Sequence, residues 1–317
     1  MKLKALGATV FVLHCVGVTA ACAQAYPAKS IRFITVGADD ALPRLLAREL
    51  VPVLGQQVYV EDHPGASGTI GAEVGARAPA DGYHFLISTG SLAVTPYFYK
   101  LNYDILRDFE HVSLLATTAF VLLAHPSLPV TKLADLVSMA RSKPGQLNYA
   151  STSAGSGPML TGELFMASAK LKVVHVPYKS IIAAMTDMVA GQVHLSSVVT
   201  PSAVAQVRAG RARALAVSTA QRVGVLPDVP TYAEQGYPQV VTTAWYGLSA
   251  PAKTPAAIVA RMNTVIVNTL ASAAVRERIA SFALDPAGNT PAEFTSFIKA
   301  DLAKWGEAVK VANVSTN

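Results

Sequence analysis

The hydrophobic positions after residue 26 alternate between short apolar runs and longer stretches with a helical period. The run IRFITV at 31–36 predicts a strand. A helix is expected over 42–54, where four apolar residues share one face: Leu45, Leu46, Leu50 and Val53. Further strands are expected at 57–61, 83–88, 111–116, 120–125, 147–151, 172–177, 193–199 and 213–218, with later helices from Leu133, from Pro158, over 181–190 and over 202–209. This alternation predicts an α/β fold with parallel-rich sheets flanked by helices.

The pattern changes in the last third of the chain. A proline-rich stretch over 223–238 precedes a strand-like run at 244–251 and three predicted helices, at 256–271, 273–282 and 291–312. Because these helices have no sheet of their own, we expect them to pack back on the first part of the chain. The predicted first lobe is therefore discontinuous, residues 26–122 with 247–317, and the second lobe is 123–246. The chain would cross twice between them, which predicts a two-strand hinge and a ligand cleft.

The first 25 residues are typical of a bacterial signal peptide. Lys2 and Lys4 precede an apolar run over 6–18, and Ala23-Gln24-Ala25 fits a cleavage site before Tyr26. Export to the periplasm with removal of residues 1–25 is the favoured interpretation, and an uncleaved membrane anchor is the alternative.

Both cysteines, Cys15 and Cys22, lie within this segment. A processed chain would therefore contain no thiol and no disulfide. A lipoprotein modified at Cys22 is less favoured, because Thr19 is a poor residue three positions before it.

Charge and motifs exclude several classes of function. Lys and Arg number 26 against 20 Asp and Glu, and the positive charges are dispersed without a basic run, so nucleic-acid binding is not expected. The seven histidines show no metal-ligand spacing, and the chain contains no P-loop, G-x-G-x-x-G or G-x-S-x-G motif. No metal, cofactor or catalytic residue is predicted, although paired carboxylates leave no sequence signature.

Small polar residues instead collect just before predicted helices, in loops at 65–69, 88–91, 151–157 and 200–202. Helix N-termini expose unpaired N–H groups and a partial positive charge, and glycine lets a ligand approach the backbone closely. In open parallel sheets such loops gather at the carboxyl ends of the strands, where ligands bind. A single loop of this kind is more often a cap or a turn. Four of them, in both halves of the chain, favour a cleft for a small molecule.

Ten sequence segments, occurring in the same order as in a known family, give the chain a resemblance to that family. They are EDHPGASGTIGAE (61–73), APADGYHFLIS (78–88), YDILRDFEHVSLLA (103–116), KPGQLNYAS (143–151), GELF (162–165), HVPYK (175–179), TDMVAGQV (186–193), AGRARALAVS (209–218), LPDVPTYAEQGYP (226–238) and WYGLSAPAKTP (245–255). The chain resembles the periplasmic solute-binding proteins of tripartite tricarboxylate transporters, the Bug-type receptors. The resemblance implies a type II periplasmic-binding-protein-like fold. It also implies a receptor, expected to act as a monomer, that closes on a small carboxylate, performs no chemistry and delivers the ligand to membrane transporter subunits.

The resemblance also implies which residues contact the ligand, mostly through backbone amides and hydroxyl groups. The second-lobe seat would comprise Ser151, Thr152, Ser153, Gly155, Ser156 and Gly157. The second-lobe wall would comprise Tyr178, Lys179, Val198, Val199 and Thr200, and the first-lobe side Ser88, Thr89 and Ser91.

The loop after the first strand departs from the family pattern. Members usually carry a Pro- and Gly-rich loop there, whereas this chain has only Gly37, Ala38, Asp39 and Asp40 before the helix. With Gly37, Ala38 and Asp39 in contact, the acidic side chain would face a ligand carboxylate, and like charges at close range disfavour binding. The expectation is altered or weakened carboxylate recognition. A receptor for a signalling system, or one that has lost transport function, is the alternative.

Overall fold

The computed structural model describes residues 26–37 and 41–314. The predicted signal peptide and the predicted contacts Ala38 and Asp39 lie outside these residues. Within them, the strands form one sheet of six and one of five, flanked by helices.

The first sheet has the order β11-β4-β10-β3-β1-β2. Its strands are β1 (Ile31–Thr35), β2 (Val58–Asp62), β3 (His84–Thr89), β4 (Phe109–Thr118), β10 (Ala244–Pro251) and β11 (Asp285–Pro286). β1 pairs in parallel with β2 and β3, because α1 (Ala41–Leu54) and α2 (Thr69–Arg77) provide the crossovers that parallel strands need. β10, β4 and β11 extend the sheet in antiparallel pairs.

The second sheet has the order β7-β6-β8-β5-β9. Its strands are β5 (Phe120–Ala124), β6 (Asn148–Thr152), β7 (Val174–Tyr178), β8 (Leu195–Val199) and β9 (Arg213–Val217). Its helices are α4 (Leu133–Ser142), α5 (Gly157–Ser168), α6 (Ile181–Val189) and α7 (Thr200–Arg208); the remaining helices are α3 (Ser91–Val94), α8 (Ala256–Ala271), α9 (Ala273–Ser281) and α10 (Pro291–Ala312). β6 is parallel to β7 and β8, and β5 is antiparallel to β8 and β9.

The predicted α/β fold class is confirmed, but the sheets are mixed rather than parallel-rich: each is a parallel trio extended by antiparallel strands. The predicted elements coincide with the observed ones to within a few residues. β11 was not predicted, because two residues carry no periodicity. Leu45, Leu46 and Leu50 are buried as the sequence predicts, whereas Val53 is exposed and the last turn of α1 buries Leu54 in its place.

The chain passes between the sheets at two points that lie side by side. β4 leads to β5 through Ala119 alone, and the segment 218–243 leads from β9 to β10. Ser218 joins the crossings: its N–H donates to Phe120 O at 2.9 Å and its hydroxyl to Thr242 O at 2.8 Å. This arrangement supports the predicted hinge and the division into two lobes. The exact lobe boundaries, at residues 122 and 247, remain a prediction.

α10 is a third connection between the two sheets. It begins at a capping box in which Thr290 and Glu293 bond each other's backbone N–H groups. The helix packs on β4 and α3, which belong to the predicted first lobe, and also on α5 of the predicted second lobe. The Trp305 ring meets the edge of Phe120, with centroids 6.3 Å apart.

Among the described helices, none alone has the length and apolar composition to cross a membrane. α8 and α9 meet those criteria only when taken together, and they are bent by 76° where they meet.

Candidate functional site

The carboxyl ends of the parallel strands face one another across the two lobes. In the second sheet the ends of β6, β7 and β8 share one edge, and in the first sheet the ends of β1, β2 and β3 share another. Ser67, in the loop after β2, donates to the carbonyl of Ala154 after β6 at 2.9 Å. Tyr99 donates to the same carbonyl at 2.8 Å. The two edges therefore line one cleft, and the lobes are in contact at its rim.

The loop 151–157, here called the seat loop, joins β6 to α5. Residues 153–156 form a turn, and among the described residues the backbone N–H groups of Ser153, Ala154, Gly155 and Gly157 have no hydrogen-bond partner. Gly155, Ser156 and Gly157 are buried, and a buried N–H group without a partner is costly. The Ser156 hydroxyl caps α5 by accepting from Met159 N at 3.4 Å. A row of free N–H groups at a helix N-terminus is a site for an anion.

Two more helices begin at the same edge. α6 is capped by Ser180, whose hydroxyl accepts from Ala183 N at 3.2 Å, and α7 begins at Thr200 directly after β8. The first turns of α5, α6 and α7 contain no acidic residue. Lys179 is exposed at the end of β7. The helix dipoles and this ammonium group make the second-lobe edge attractive to negative charge.

A buried cluster fixes the seat loop from behind. The Ser151 hydroxyl lies 3.1 Å from Thr152 O and 2.7 Å from His175 Nε2, and the tautomer of His175 decides which of these two atoms accepts its hydrogen. Burial lowers the pKa of His175 to about 4, which keeps the ring neutral near pH 7. Tyr149 packs on this ring with centroids 4.8 Å apart, and its hydroxyl donates to Glu163 Oε1 at 2.6 Å. Burial raises the pKa of Glu163.

The predicted first-lobe contacts differ in whether their side-chain hydroxyls are free to bind a ligand. Ser88 is buried and its hydroxyl donates to Gly247 O at 3.2 Å. Thr89 and Ser91 are partly exposed, and their hydroxyls have no partner within the part of the chain that is described. Gly37 has a left-handed φ of 93°, and a Cβ there would meet Pro64, so only glycine fits.

Several predicted contacts lie at the correct edge but have side chains occupied by the protein. Val198 is buried, and the buried Thr200 hydroxyl donates to Ala119 O at 3.0 Å. Tyr178 donates to Asp187 Oδ2 at 2.7 Å, a bond that raises the pKa of Tyr178 to about 12. Val199 is partly exposed. Their contact with a ligand stays a prediction.

Two residues at the cleft rim were not predicted as contacts. Ser67 lies in the small-residue loop 65–69, so its loop could be found from sequence but its contact could not. Tyr99 carried no signal, because an isolated tyrosine after a short helix is common on protein surfaces. In the described part of the chain, no three His, Asp or Glu side chains come together as metal ligands.

Comparison with known proteins shows which family the chain resembles. The description of the matching family is "Tripartite tricarboxylate transporter family receptor", and the match covers residues 42–314. BugT of Bordetella pertussis is 33% identical over 298 residues, which cover 91% of this chain and 90% of BugT.

Two solved structures from Rhodopseudomonas palustris share the fold. Rpa4515, solved with adipate, is 33% identical with a TM-score of 0.85, covering 92% of this chain and 99% of that one. MatC, solved with bound malate, is 29% identical with a TM-score of 0.81, covering 90% and 100%. The chain belongs to the tripartite tricarboxylate transporter receptor family, whose members are periplasmic solute receptors that work with membrane transporter proteins.

Proposed function

We propose that this chain is an exported receptor that binds a small organic acid in the cleft and delivers it to a tripartite tricarboxylate-type transporter. The seat loop carries the proposal, because its free N–H groups, those of Ser153, Ala154, Gly155 and Gly157, lie at the N-terminus of α5. Such a group of donors suits a carboxylate without needing an arginine. The adipate and malate bound to the two relatives have that chemistry.

The ligand is held between hydroxyl and amide groups of both lobes in this proposal. On the second lobe the contacts are the N–H groups of the seat loop and the Thr152 hydroxyl, which has no partner among the described residues. On the first lobe they are the hydroxyls of Thr89 and Ser91. These donors are neutral, so binding depends on their number and placement rather than on ion pairing.

We propose that the receptor performs no chemistry on its ligand. The contact between Ser151 and His175 has the composition of a nucleophile and its base, but Ser151 is fully buried. A histidine with a pKa of about 4 is also a weak general base near pH 7. The pair therefore serves to position the seat loop.

The first-lobe loop is proposed to alter ligand choice. Asp39 and Asp40 add negative charge after β1 in the sequence. Asp62 ends the neighbouring strand β2, where its carboxylate accepts from Thr35 Oγ1 at 2.8 Å. This acidity disfavours a second carboxylate on the ligand at that side. Asp39→Gly should therefore strengthen dicarboxylate binding. Ordinary tight dicarboxylate binding that Asp39→Gly leaves unchanged would contradict this proposal.

We further propose that the chain is processed after residue 25 and acts as a monomer that does not bind nucleic acid. Tyr26 supports the position of the cut, because its hydroxyl bonds Gly82 O and its ring packs on Tyr83, so the first residue of the processed chain belongs to the folded lobe. The intact mass of protein recovered from the periplasm tests the cut. A mass that retains residues 1–25 or a lipid on Cys22 would contradict it.

The central experiment measures binding of adipate and malate by calorimetry, together with mass spectrometry of any small molecule that copurifies. Thr152→Val and Ser91→Ala each remove one hydroxyl and should weaken binding by about threefold to tenfold. Ser142→Ala, on the exposed surface of α4, is the matched control and should have no effect. The proposal fails if the copurifying molecule has no carboxylate and neither acid binds.

A further inference from the structure

One carbonyl group of the seat loop receives two hydroxyls from the opposite lobe. Ser67 Oγ lies 2.9 Å and Tyr99 OH 2.8 Å from Ala154 O. A carbonyl oxygen has two lone pairs, so these donors saturate it. Ser67 Oγ also approaches Ser153 Oγ at 3.4 Å. The contact thus joins the lobes at the loop that carries the proposed ligand donors.

The seat loop is shaped to receive the Tyr99 ring. Gly155 has a φ of 74°, and a Cβ there would lie 2.8 Å from Tyr99 Cε2. Tyr99 is itself fixed, because its N–H donates to Thr95 O at 3.0 Å and neighbouring Tyr97 donates to Leu302 O of α10 at 2.7 Å. The tyrosine therefore reaches across the cleft from a rigid base.

Ser67 is presented by an unusual left-handed turn. Four consecutive residues have positive φ: Gly65 (127°), Ala66 (46°), Ser67 (54°) and Gly68 (93°). Alanine and serine seldom adopt this conformation, and it persists where surrounding contacts hold it. Such strain concentrates at ligand clamps and switch regions. The conformation directs the Ser67 hydroxyl at the seat loop.

We propose that Ser67 and Tyr99 form a latch that holds the receptor closed by bonding the carbonyl of Ala154. The inference rests on the proposed function, in which the lobes close on a ligand. The seat loop carries both the latch acceptor, Ala154 O, and the N–H groups that would bind the ligand. Closing the latch therefore orders the ligand site, and a bound ligand in turn favours the closed latch. Thermodynamic linkage makes this coupling reciprocal. Ser67 and Tyr99 are positioning residues, since they act on the ligand through the seat loop.

Binding measurements with adipate and malate as probes give the first test. Tyr99→Phe and Ser67→Ala should each raise Kd about fivefold, the effect of one lost hydrogen bond, and the change should appear in the dissociation rate. Tyr97→Phe is the matched control: the same hydroxyl is removed two residues away, but its partner Leu302 lies in the same lobe. It should leave Kd unchanged.

A cysteine pair tests the latch without any ligand. Ser67→Cys with Ser153→Cys places two thiols where hydroxyls lie 3.4 Å apart, so mild oxidation should join the lobes. Peptide mapping identifies the 67–153 bond separately from any bond to Cys15 or Cys22. Adding Tyr99→Phe should slow bond formation about fivefold, whereas adding Tyr97→Phe should not.

The outcomes separate the latch from the proposed function. If neither acid binds and no carboxylate copurifies, but Tyr99→Phe slows the crosslink, the latch stands and the proposed function fails. If an acid binds and Tyr99→Phe matches Tyr97→Phe in both assays, the latch is overturned and the proposed function stands. Failure of the 67–153 bond to form under any condition also overturns the latch.

Discussion

Replacement of Asp301 should reveal how α10 holds the two lobes together. Asp301 is buried, and its Oδ2 accepts from Trp245 Nε1 at 2.7 Å and from Trp305 Nε1 at 3.1 Å. Trp245 lies on β10 just after the chain returns to the first sheet, and Trp305 meets Phe120 at the start of β5. Oδ2 of Asp301 thus links α10 to the second crossing through Trp245 and, through Trp305 and its contact with Phe120, to the first crossing.

The expected cost can be worked from these two bonds. Asp301→Ala leaves two buried indole N–H groups without an acceptor, at about 1–3 kcal/mol each. Burial raises the pKa of Asp301, so the native carboxylate itself carries a desolvation cost that the substitution removes. We therefore expect a loss of about 2–4 kcal/mol in the free energy of unfolding. Asp301→Asn should cost only about 1 kcal/mol, because an amide oxygen in place of Oδ2 can still accept from both rings.

Urea unfolding followed by far-ultraviolet circular dichroism measures both values. Fluorescence gives an independent check, since the chain has two tryptophans and both bond Asp301. Glu307→Ala is the control on the same helix; its side chain is exposed and its ion pair with Lys310 should contribute little. The reasoning is refuted if Asp301→Ala destabilises no more than Glu307→Ala, or if Asp301→Asn is as damaging as Asp301→Ala.

Three further predictions concern the seat loop, pH and α10. Gly157→Ala should abolish ligand binding or destabilise the fold, because the new Cβ would overlap the Phe120 ring; unchanged Kd and urea midpoint would contradict this. Burial lowers the pKa of His111 to about 4, so below pH 6.5 the unfolded chain takes up a proton that the native chain does not. Stability should fall by about 2 kcal/mol between pH 7 and pH 5 from this residue, and the urea midpoint of His111→Gln should vary less with pH. Thr290→Ala should cost about 1 kcal/mol of unfolding free energy by removing the α10 cap, a loss that Thr290→Ser should largely avoid.

The order and type of the secondary-structure elements could be predicted because apolar periodicity is a local property. Strand direction could not. All eight residues of β10 are buried, and a strand buried on both faces gives one apolar run whether its neighbours are parallel or antiparallel. The antiparallel strands of both sheets were therefore indistinguishable from parallel ones before the structure was known.

The seat loop could be recognised from sequence because its small residues and helix start are contiguous. The rim contacts could not, because Tyr99 and Ala154 are 55 positions apart and meet only when the lobes approach. The sequence also could not predict which hydroxyls are buried. Ser88 and Ser151 were expected to contact the ligand, but their hydroxyls bond Gly247 O and His175 Nε2 on neighbouring strands.

The seat loop is restrained from three sides by residues that lie outside the predicted ligand contacts. His175 bonds Ser151 behind it, Phe120 fills the space beside Gly157, and Tyr99 bonds Ala154 across the cleft. Substitutions at these restraints change how well the N–H groups are placed, so they should weaken every carboxylate by a similar factor. Substitutions at the proposed first-lobe contacts, Ser91 and Asp39, should instead change the ratio of the two affinities. Measuring adipate and malate in parallel separates the two classes, because only a direct contact distinguishes one ligand from the other.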